Sequence, residues 1–133
     1  MSNSPDNERH LAQVHGLFES FAAGDRNGTA AVFDESTAWY PLAGVLPGNY
    51  VGREAILALF GRMKQETGGT FRSVPAAMAA NGDRVFVEAN IAGSRNGKEL
   101  AMPLLMVFRF NGDELAEVRL HANDYPTFAA FWS

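Results

Sequence analysis

The chain has 133 residues, of which 47% are hydrophobic and 20% are charged, a balance typical of one globular domain and not of a disordered chain. Fifteen acidic against eleven basic residues give a net charge of −4, which disfavours nucleic acid or an anionic membrane as the main partner. The absence of cysteine excludes disulfides, thiolate metal sites and a cysteine nucleophile. The polar residues 1–10 lack the apolar core of a secretory signal, and the apolar run 100–108 is too short to span a bilayer. We therefore expect a soluble, cytoplasmic protein.

The first half of the chain has the apolar periodicity of helices. After a polar, flexible lead of about seven residues, apolar side chains recur every three or four positions up to Gly24, which predicts an amphipathic helix. Asp25 is suited to cap a short second helix that runs to Phe33. A strand over residues 36–42 and a Pro/Gly-rich loop over 43–52 follow. A third helix is predicted over 54–66.

The second half has the pattern of an antiparallel meander. Three Asn-Gly pairs, which favour tight reversals, stand fifteen residues apart at positions 81, 96 and 111. They separate four predicted strands, at residues 70–80, 84–94, 99–110 and 114–123. The aromatic tail, residues 125–132, is expected to pack back on the sheet. The element order ααβαββββ predicts one α+β domain over residues 1–133, a curved and mostly antiparallel sheet with helices on one face.

The third meander strand is apolar on both of its faces. Leu104, Met106 and Phe108 alternate with Ala101, Leu105 and Val107, so both faces need a cover. Helices can cover one face, and the other requires a second subunit or an internal cavity. A proline at position 103, in the middle of the strand, predicts an edge position or a bulge there.

With these elements in place, the sequence resembles the SnoaL-like branch of the nuclear transport factor 2-like superfamily. The resemblance covers nearly the whole chain and rests on the element order together with a set of local stretches. They are Gly24-Asp25, Thr37-Ala38-Trp39-Tyr40-Pro41, Tyr50-Val51-Gly52-Arg53-Glu54-Ala55-Ile56, residues 112–119 continuing to Asp124, and the ending Phe131-Trp132. The resemblance implies a cone-shaped sheet around a deep apolar pocket, in a homodimer.

Related families include polyketide cyclases, ketosteroid isomerases and limonene-type epoxide hydrolases, so the fold alone says little about the reaction. Tyr40 stands where ketosteroid isomerases have an Asp base, and the apolar Met106 and Leu17 stand where they have oxyanion donors. Residues 101–107 contain neither the Arg nor the Asp of the epoxide hydrolases. Asp124, followed by Tyr125, does resemble the final-strand piece of that pattern.

Three polar side chains are candidates for catalysis. Asp124 stands beside the aromatic tail, where it would act as a general acid or base, or else it caps a turn. His121 shares a strand face with Arg119 and Glu117, either as a proton relay or as part of a solvated stripe. Tyr40 is expected to orient a substrate oxygen or to line a cavity.

Five further side chains are candidates for contact with a ligand: Trp39, Asn90, Glu88, Met106 and Phe108. Trp39 is interpreted as packing or as a pocket wall. Glu88 and Asn90 alternate with apolar neighbours, and periodicity leaves open whether they point into the cone or form its outer face. The methionines are either core residues or an adaptable cavity lining.

No phosphate-binding loop, dinucleotide fingerprint, metal-binding helix or nucleophile elbow occurs, so we expect no cofactor and no metal. The leading hypothesis is a cofactor-free enzyme that isomerises, cyclises or opens an epoxide in a polyketide- or terpenoid-like molecule by general acid–base catalysis. The alternative is a non-catalytic domain of the same fold that binds a hydrophobic small molecule or assembles with a partner. We expect a homodimer and neither nucleic acid nor a membrane as partner.

Overall fold

The computed structural model describes residues 5–42, 45–46, 48 and 50–133, which form one six-stranded sheet and four helices. The elements in chain order are α1 (Pro5–Ala23), α2 (Arg26–Ala30), β1 (Ala38–Tyr40), β2 (Tyr50–Val51), α3 (Arg53–Glu66), β3 (Arg72–Asn81), β4 (Arg84–Arg95), β5 (Lys98–Asn111), β6 (Glu114–His121) and α4 (Tyr125–Trp132). The strand order across the sheet is β2-β1-β6-β5-β4-β3. All neighbours are antiparallel except β1 and β6. The mixed α+β class and the mostly antiparallel sheet are thus confirmed.

Helix ends follow the local sequence. Gly24 adopts φ +70°, a conformation that a side chain disfavours, and it ends α1. The next residue, Asp25, accepts a hydrogen bond from the Gly28 backbone N–H at 3.0 Å and so begins α2, as predicted. Gly68 and Gly69 have φ +58° and +80° and terminate α3 in the same way.

The three reversals of the meander lie where the Asn-Gly pairs predict them, but they are not alike. At Asn96-Gly97 both residues have positive φ, 51° and 76°. In the other two reversals the asparagine is the last residue of a strand, and Gly82 or Gly112 supplies the positive φ instead.

The two faces of the sheet differ in burial. On one face Val85, Val87, Met106 and Phe108 are buried beneath the helices. The other face leaves apolar side chains exposed: Tyr40 43%, Val74 54%, Phe86 37% and Leu105 41%. We call this second surface the open face of the sheet. The sequence of β5 is apolar on both faces and so requires a cover on each. Among the described residues, the helices cover one face only.

Pro103 shows how β5 accommodates a proline in its middle. The residue pairs with Asn90 of β4 on one side. On the other side, the pairing of β5 with β6 begins only at Leu105, opposite His121. Pro103 therefore stands on a locally unpaired edge, which is the first of the two predicted positions and needs no ladder hydrogen bond from its nitrogen.

Three details differ from the predicted elements. Helix α1 begins at Pro5, earlier than the periodicity indicated, and its His10 is buried, with Nε2 donating to the Gly112 carbonyl at 2.7 Å. The two-residue strand β2 was predicted as loop, because a pair this short carries no periodicity. The aromatic tail forms α4, with Phe128, Phe131 and Trp132 buried, so it does pack back as expected. Within the described ranges, no helix is long and apolar enough to cross a membrane.

Candidate functional site

An apolar cavity lies between α1, α3 and the covered face of the sheet. Its walls come from both helices, from the segment before β3 and from five of the strands. The lining residues are Leu17, Phe18, Phe21, Trp39, Phe60, Met63, Phe71, Ser73, Ile91, Leu104, Met106 and Leu120. We call this space the inner cavity.

Aromatic rings make up much of its wall. Trp39 and Phe60 meet edge to face with centroids 4.9 Å apart. Phe21 stands edge to face to Phe60 at 5.6 Å and to Phe71 at 6.3 Å. These are favourable aromatic geometries, so the rings hold one another in place. The two lining methionines, Met63 and Met106, are the adaptable part of the wall.

Ser73 and Trp39 are the lining residues described by the structure whose side chains carry an oxygen or a nitrogen. The surface that the lining presents to the cavity is nevertheless almost wholly apolar. None of the lining residues is ionisable in the physiological range. The inner cavity is thus built to hold apolar matter with at most one or two polar atoms.

The inner cavity is narrow. Its volume, about 60 Å³, is well below that of a typical preformed ligand pocket. A flat or chain-like molecule suits such a slot, and a thicker one requires the flexible Met63 and Met106 side chains to move.

Two of the eight candidate site residues line the inner cavity. Trp39 and Met106 are both buried there. Phe108 is fully buried next to them in the core, where it packs edge to face on Phe18 with centroids 6.3 Å apart. Its role is packing beside the cavity wall.

Glu88, Asn90, Tyr40 and His121 lie on the open face instead. All four are exposed, and their strand positions alternate with the buried ones. The register brings Leu105 opposite both Glu88 and His121. The structure therefore decides the question that periodicity left open for Glu88 and Asn90: they form the outer face.

Tyr40 belongs to a charged cluster at one end of the open face. The Arg119 guanidinium stacks over its ring, 4.2 Å from the centroid. Glu117 receives hydrogen bonds from Arg109 Nε at 2.7 Å and from Arg119 Nε at 2.8 Å, one on each carboxylate oxygen. The Arg109 hydrogen bond holds the pKa of Glu117 below its ordinary value, with burial opposing and the Arg119 charge assisting. Glu117 therefore pairs with two guanidinium groups, and these three side chains together carry one positive charge.

Asp124 has a structural partner. It is exposed and stands at the N-cap of α4, where Oδ1 accepts a hydrogen bond from the Thr127 backbone N–H at 3.2 Å. Pro126 follows within the first turn of the helix, as is common at helix starts. Two roles were predicted for Asp124, acid–base catalysis and capping, and its hydrogen bond from Thr127 is that of a helix cap.

Sequence reasoning placed several of the lining residues on apolar faces but not at a cavity. Phe21 and Phe60 were recognised by their helical spacing, yet a residue that lines a cavity and one that fills a core have the same periodicity. Nothing in the sequence marked Ser73 as a lining residue, because serine is common in strands and turns alike. Arg53 donates from Nε to the Ala30 and Phe33 carbonyls, each at 2.9 Å, and so fixes the end of α2.

Comparison with known proteins bears on the fold and the family. The model of the SnoaL-like domain family matches residues 14–118. A search of curated proteins gives no significant match.

Solved structures give close matches over the whole chain. The protein Bal32a, from a soil-derived mobile gene cassette, is 32% identical, with a TM-score of 0.91, and the match covers 96% of this chain and 99% of that one. An NTF2-like protein of unknown function from Burkholderia pseudomallei is 18% identical with a TM-score of 0.81, covering 94% and 98%. A SnoaL-like polyketide cyclase, assigned by similarity, from Jannaschia sp. CCS1 is 16% identical with a TM-score of 0.81, covering 100% and 98%. The last two matches support the nuclear transport factor 2-like fold.

Proposed function

Because the chain belongs to the SnoaL-like domain family, we propose that it binds an apolar organic molecule in the inner cavity. The observation that carries the proposal is the lining itself, an aromatic and aliphatic wall whose exposed surface is almost wholly apolar. Burial of about 200 Å² of apolar ligand surface would contribute about 5 kcal/mol before the costs of association. Binding, without proton transfer by this chain's side chains, is the function that this geometry supports best.

General acid–base catalysis is the other candidate, and it needs an acid or base within about 3 Å of the reacting atoms. Tyr40 and His121 are on the opposite face of the sheet from the inner cavity, and Asp124 caps α4. Tyr40 and His121 therefore do not reach a ligand in the inner cavity. The Asp124 carboxylate is engaged by the backbone N–H of Thr127. The catalytic roles of these three residues remain predictions that mutation can test.

Fluorescence titration with N-phenyl-1-naphthylamine, a neutral and flat apolar dye, tests the proposal. We expect saturable binding with one dye per chain, and its loss in Met63→Trp, because the half-buried Met63 lines the cavity and an indole there fills it. Met78→Trp is the matched control: Met78 is also half-buried against the core but does not line the cavity. Equal binding by wild type and a folded Met63→Trp variant would overturn the proposal.

We also propose that a second copy of this chain covers the open face. Its exposed apolar residues, Val74, Phe86 and Leu105, lie beside both acidic and basic side chains. A face that carries both charges next to apolar groups can complement itself across a two-fold axis. Sedimentation should give a dimer for wild type and a monomer for Leu105→Glu, whereas Ala58→Glu, on the exposed side of α3, should stay dimeric. A monomeric wild type at high protein concentration would refute this assembly.

A further inference from the structure

A second concavity lies on the other side of the inner cavity's wall. It is an outward-facing groove of about 190 Å³ between the end of α1, α2 and α3. Its lining includes Phe21, Asp25, Arg26, Phe60 and Lys64. We call it the outer groove. Unlike the inner cavity, it combines apolar side chains with charged ones.

Phe21 and Phe60 line both spaces. The two half-buried rings stand edge to face at 5.6 Å, one from α1 and the other from α3. Because the same two side chains bound the inner cavity and the outer groove, a rotamer change at either ring would join the two.

The outer groove has two cationic side chains without a carboxylate partner in the described part of the chain, Arg26 and Lys64. Six arginines outside the groove are in ion pairs, namely Arg9, Arg62, Arg84, Arg95, Arg109 and Arg119, whereas Arg53, Arg72 and Lys98, also outside it, pair with no described carboxylate side chain. The groove's one carboxylate, Asp25, is engaged with the Gly28 backbone N–H. The chain as a whole carries −4, so this local excess of positive charge runs against the overall balance.

We propose that the ligand of the inner cavity is an apolar anion, with a flat or chain-like apolar body and a carboxylate, sulfonate or similar head group. The body occupies the inner cavity, the molecule enters between Phe21 and Phe60, and the head group remains in the outer groove beside Arg26 and Lys64. This inference rests on the proposed function, since it specifies the class of molecule that the inner cavity holds.

The charged contribution is expected to be modest and dependent on salt. Arg26 and Lys64 are exposed, and exposed ion pairs alter affinity by a few-fold at most. We expect each of them to strengthen binding of an anion about threefold at low salt. The effect should shrink as the ionic strength rises towards 0.5 M, because salt screens exposed charges.

Two dyes with the same apolar framework separate the head group from the body. N-phenyl-1-naphthylamine is neutral, and 8-anilinonaphthalene-1-sulfonate is the same framework with one anionic group. Both are titrated at low salt into wild type, Met63→Trp, Lys64→Gln, Arg26→Gln and Arg84→Gln. The last is the matched control, since it also removes one positive charge but from a surface hairpin where Arg84 pairs with Asp83.

The expected result is that Lys64→Gln and Arg26→Gln each weaken the anionic dye about threefold, leave the neutral dye unchanged, and differ from Arg84→Gln. If both dyes bind and Met63→Trp blocks both, but neither groove substitution alters the ratio of their affinities, the anion inference is wrong and the proposed function stands. If Met63→Trp blocks neither dye, the proposed function fails and this inference fails with it.

Discussion

Trp39 and Tyr40 are consecutive residues of β1 whose side chains lie on opposite faces of the sheet. Trp39 is buried in the wall of the inner cavity, with its ring against Phe60. Tyr40 is 43% exposed on the open face, beneath the guanidinium of Arg119. The alternation of side chains along a strand thus separates the apolar site from the charged cluster by the thickness of the sheet.

This separation predicts that the polar candidates do not affect ligand affinity. We expect Tyr40→Phe, His121→Ala and Asp124→Asn each to bind N-phenyl-1-naphthylamine as wild type does, because none of the three side chains lines the inner cavity. Fluorescence titration measures this directly, with Trp39→Ala as the positive control. A tenfold lower affinity for the dye in any of the three variants would show that the replaced residue contributes to the ligand site.

Asp124 is expected to matter for stability through its cap. Replacement by alanine removes the acceptor for the Thr127 N–H and should lower the free energy of unfolding by about 1 kcal/mol. Replacement by asparagine, an equally good N-cap, should change it by a few tenths at most. Urea denaturation distinguishes the two variants, and equal destabilisation by both would contradict a capping role.

Replacement by alanine is expected to have opposite effects on stability at Gly61 and at Gly68. At Gly61, inside α3, and at Gly68, just after it, an added Cβ meets no described heavy atom within 4 Å. Gly68, however, has φ +58°, whereas Gly61 is helical. We expect Gly61→Ala to stabilise the chain and Gly68→Ala to destabilise it, each by about 1 kcal/mol. Thermal unfolding of both variants checks the signs, and a shared sign would refute the backbone explanation.

The charged cluster predicts a loss of stability on the acid side. Because the hydrogen bond from Arg109 lowers the pKa of Glu117 in the folded chain, the unfolded chain binds the proton more tightly. The stabilisation from ionised Glu117 is therefore complete above its unfolded pKa of about 4.5 and disappears as the pH falls through the lower folded pKa. Glu117→Gln should be less stable than wild type at pH 6 and closer to it at pH 3.

Urea midpoints at pH 6 and pH 3 measure that convergence. Glu114→Gln, an exposed residue at the start of the same strand, is the control for general effects of removing a carboxylate. A difference between wild type and Glu117→Gln that is the same at both pH values would show that Glu117 contributes through packing and not through its charge.

The fold was largely predictable from the sequence, because its elements are long and their signals are strong. The period of apolar residues located α1 and α3, and three Asn-Gly pairs located the reversals between β3, β4, β5 and β6. The exceptions are physically instructive. Strand β2 has two residues and pairs with β1, and the first half of α1 carries His10, whose ring stacks on Phe110 with centroids 4.1 Å apart. Contacts between distant segments of this kind leave no local pattern.

The site was less predictable than the fold, because side chains that line a cavity and side chains that fill a core have the same apolar periodicity. Trp39 and Met106 were named as candidate ligand contacts, with packing as the alternative, and both line the inner cavity. Polar residues attracted attention because acid–base chemistry requires them, yet Glu88 and Asn90 proved to be on the outer face. On β4 the positions Val85, Val87, Ala89 and Ile91 are all apolar and buried, whereas Glu88 and Asn90 stand on the alternate positions. The alternation therefore indicated which face is covered, and only the inference of a polar cavity favoured the other orientation.

The most direct test of ligand binding in the inner cavity uses the methionine methyl groups as reporters. Met63 and Met106 line the cavity, whereas Met78 and Met102 do not, although Met102 is buried in the same core. Methyl-labelled protein titrated with N-phenyl-1-naphthylamine would show by NMR which methyl groups the aromatic ligand approaches. The account predicts large shifts for Met63 and Met106 and small ones for Met78 and Met102. Saturable binding with the Met63 and Met106 signals unmoved would contradict it.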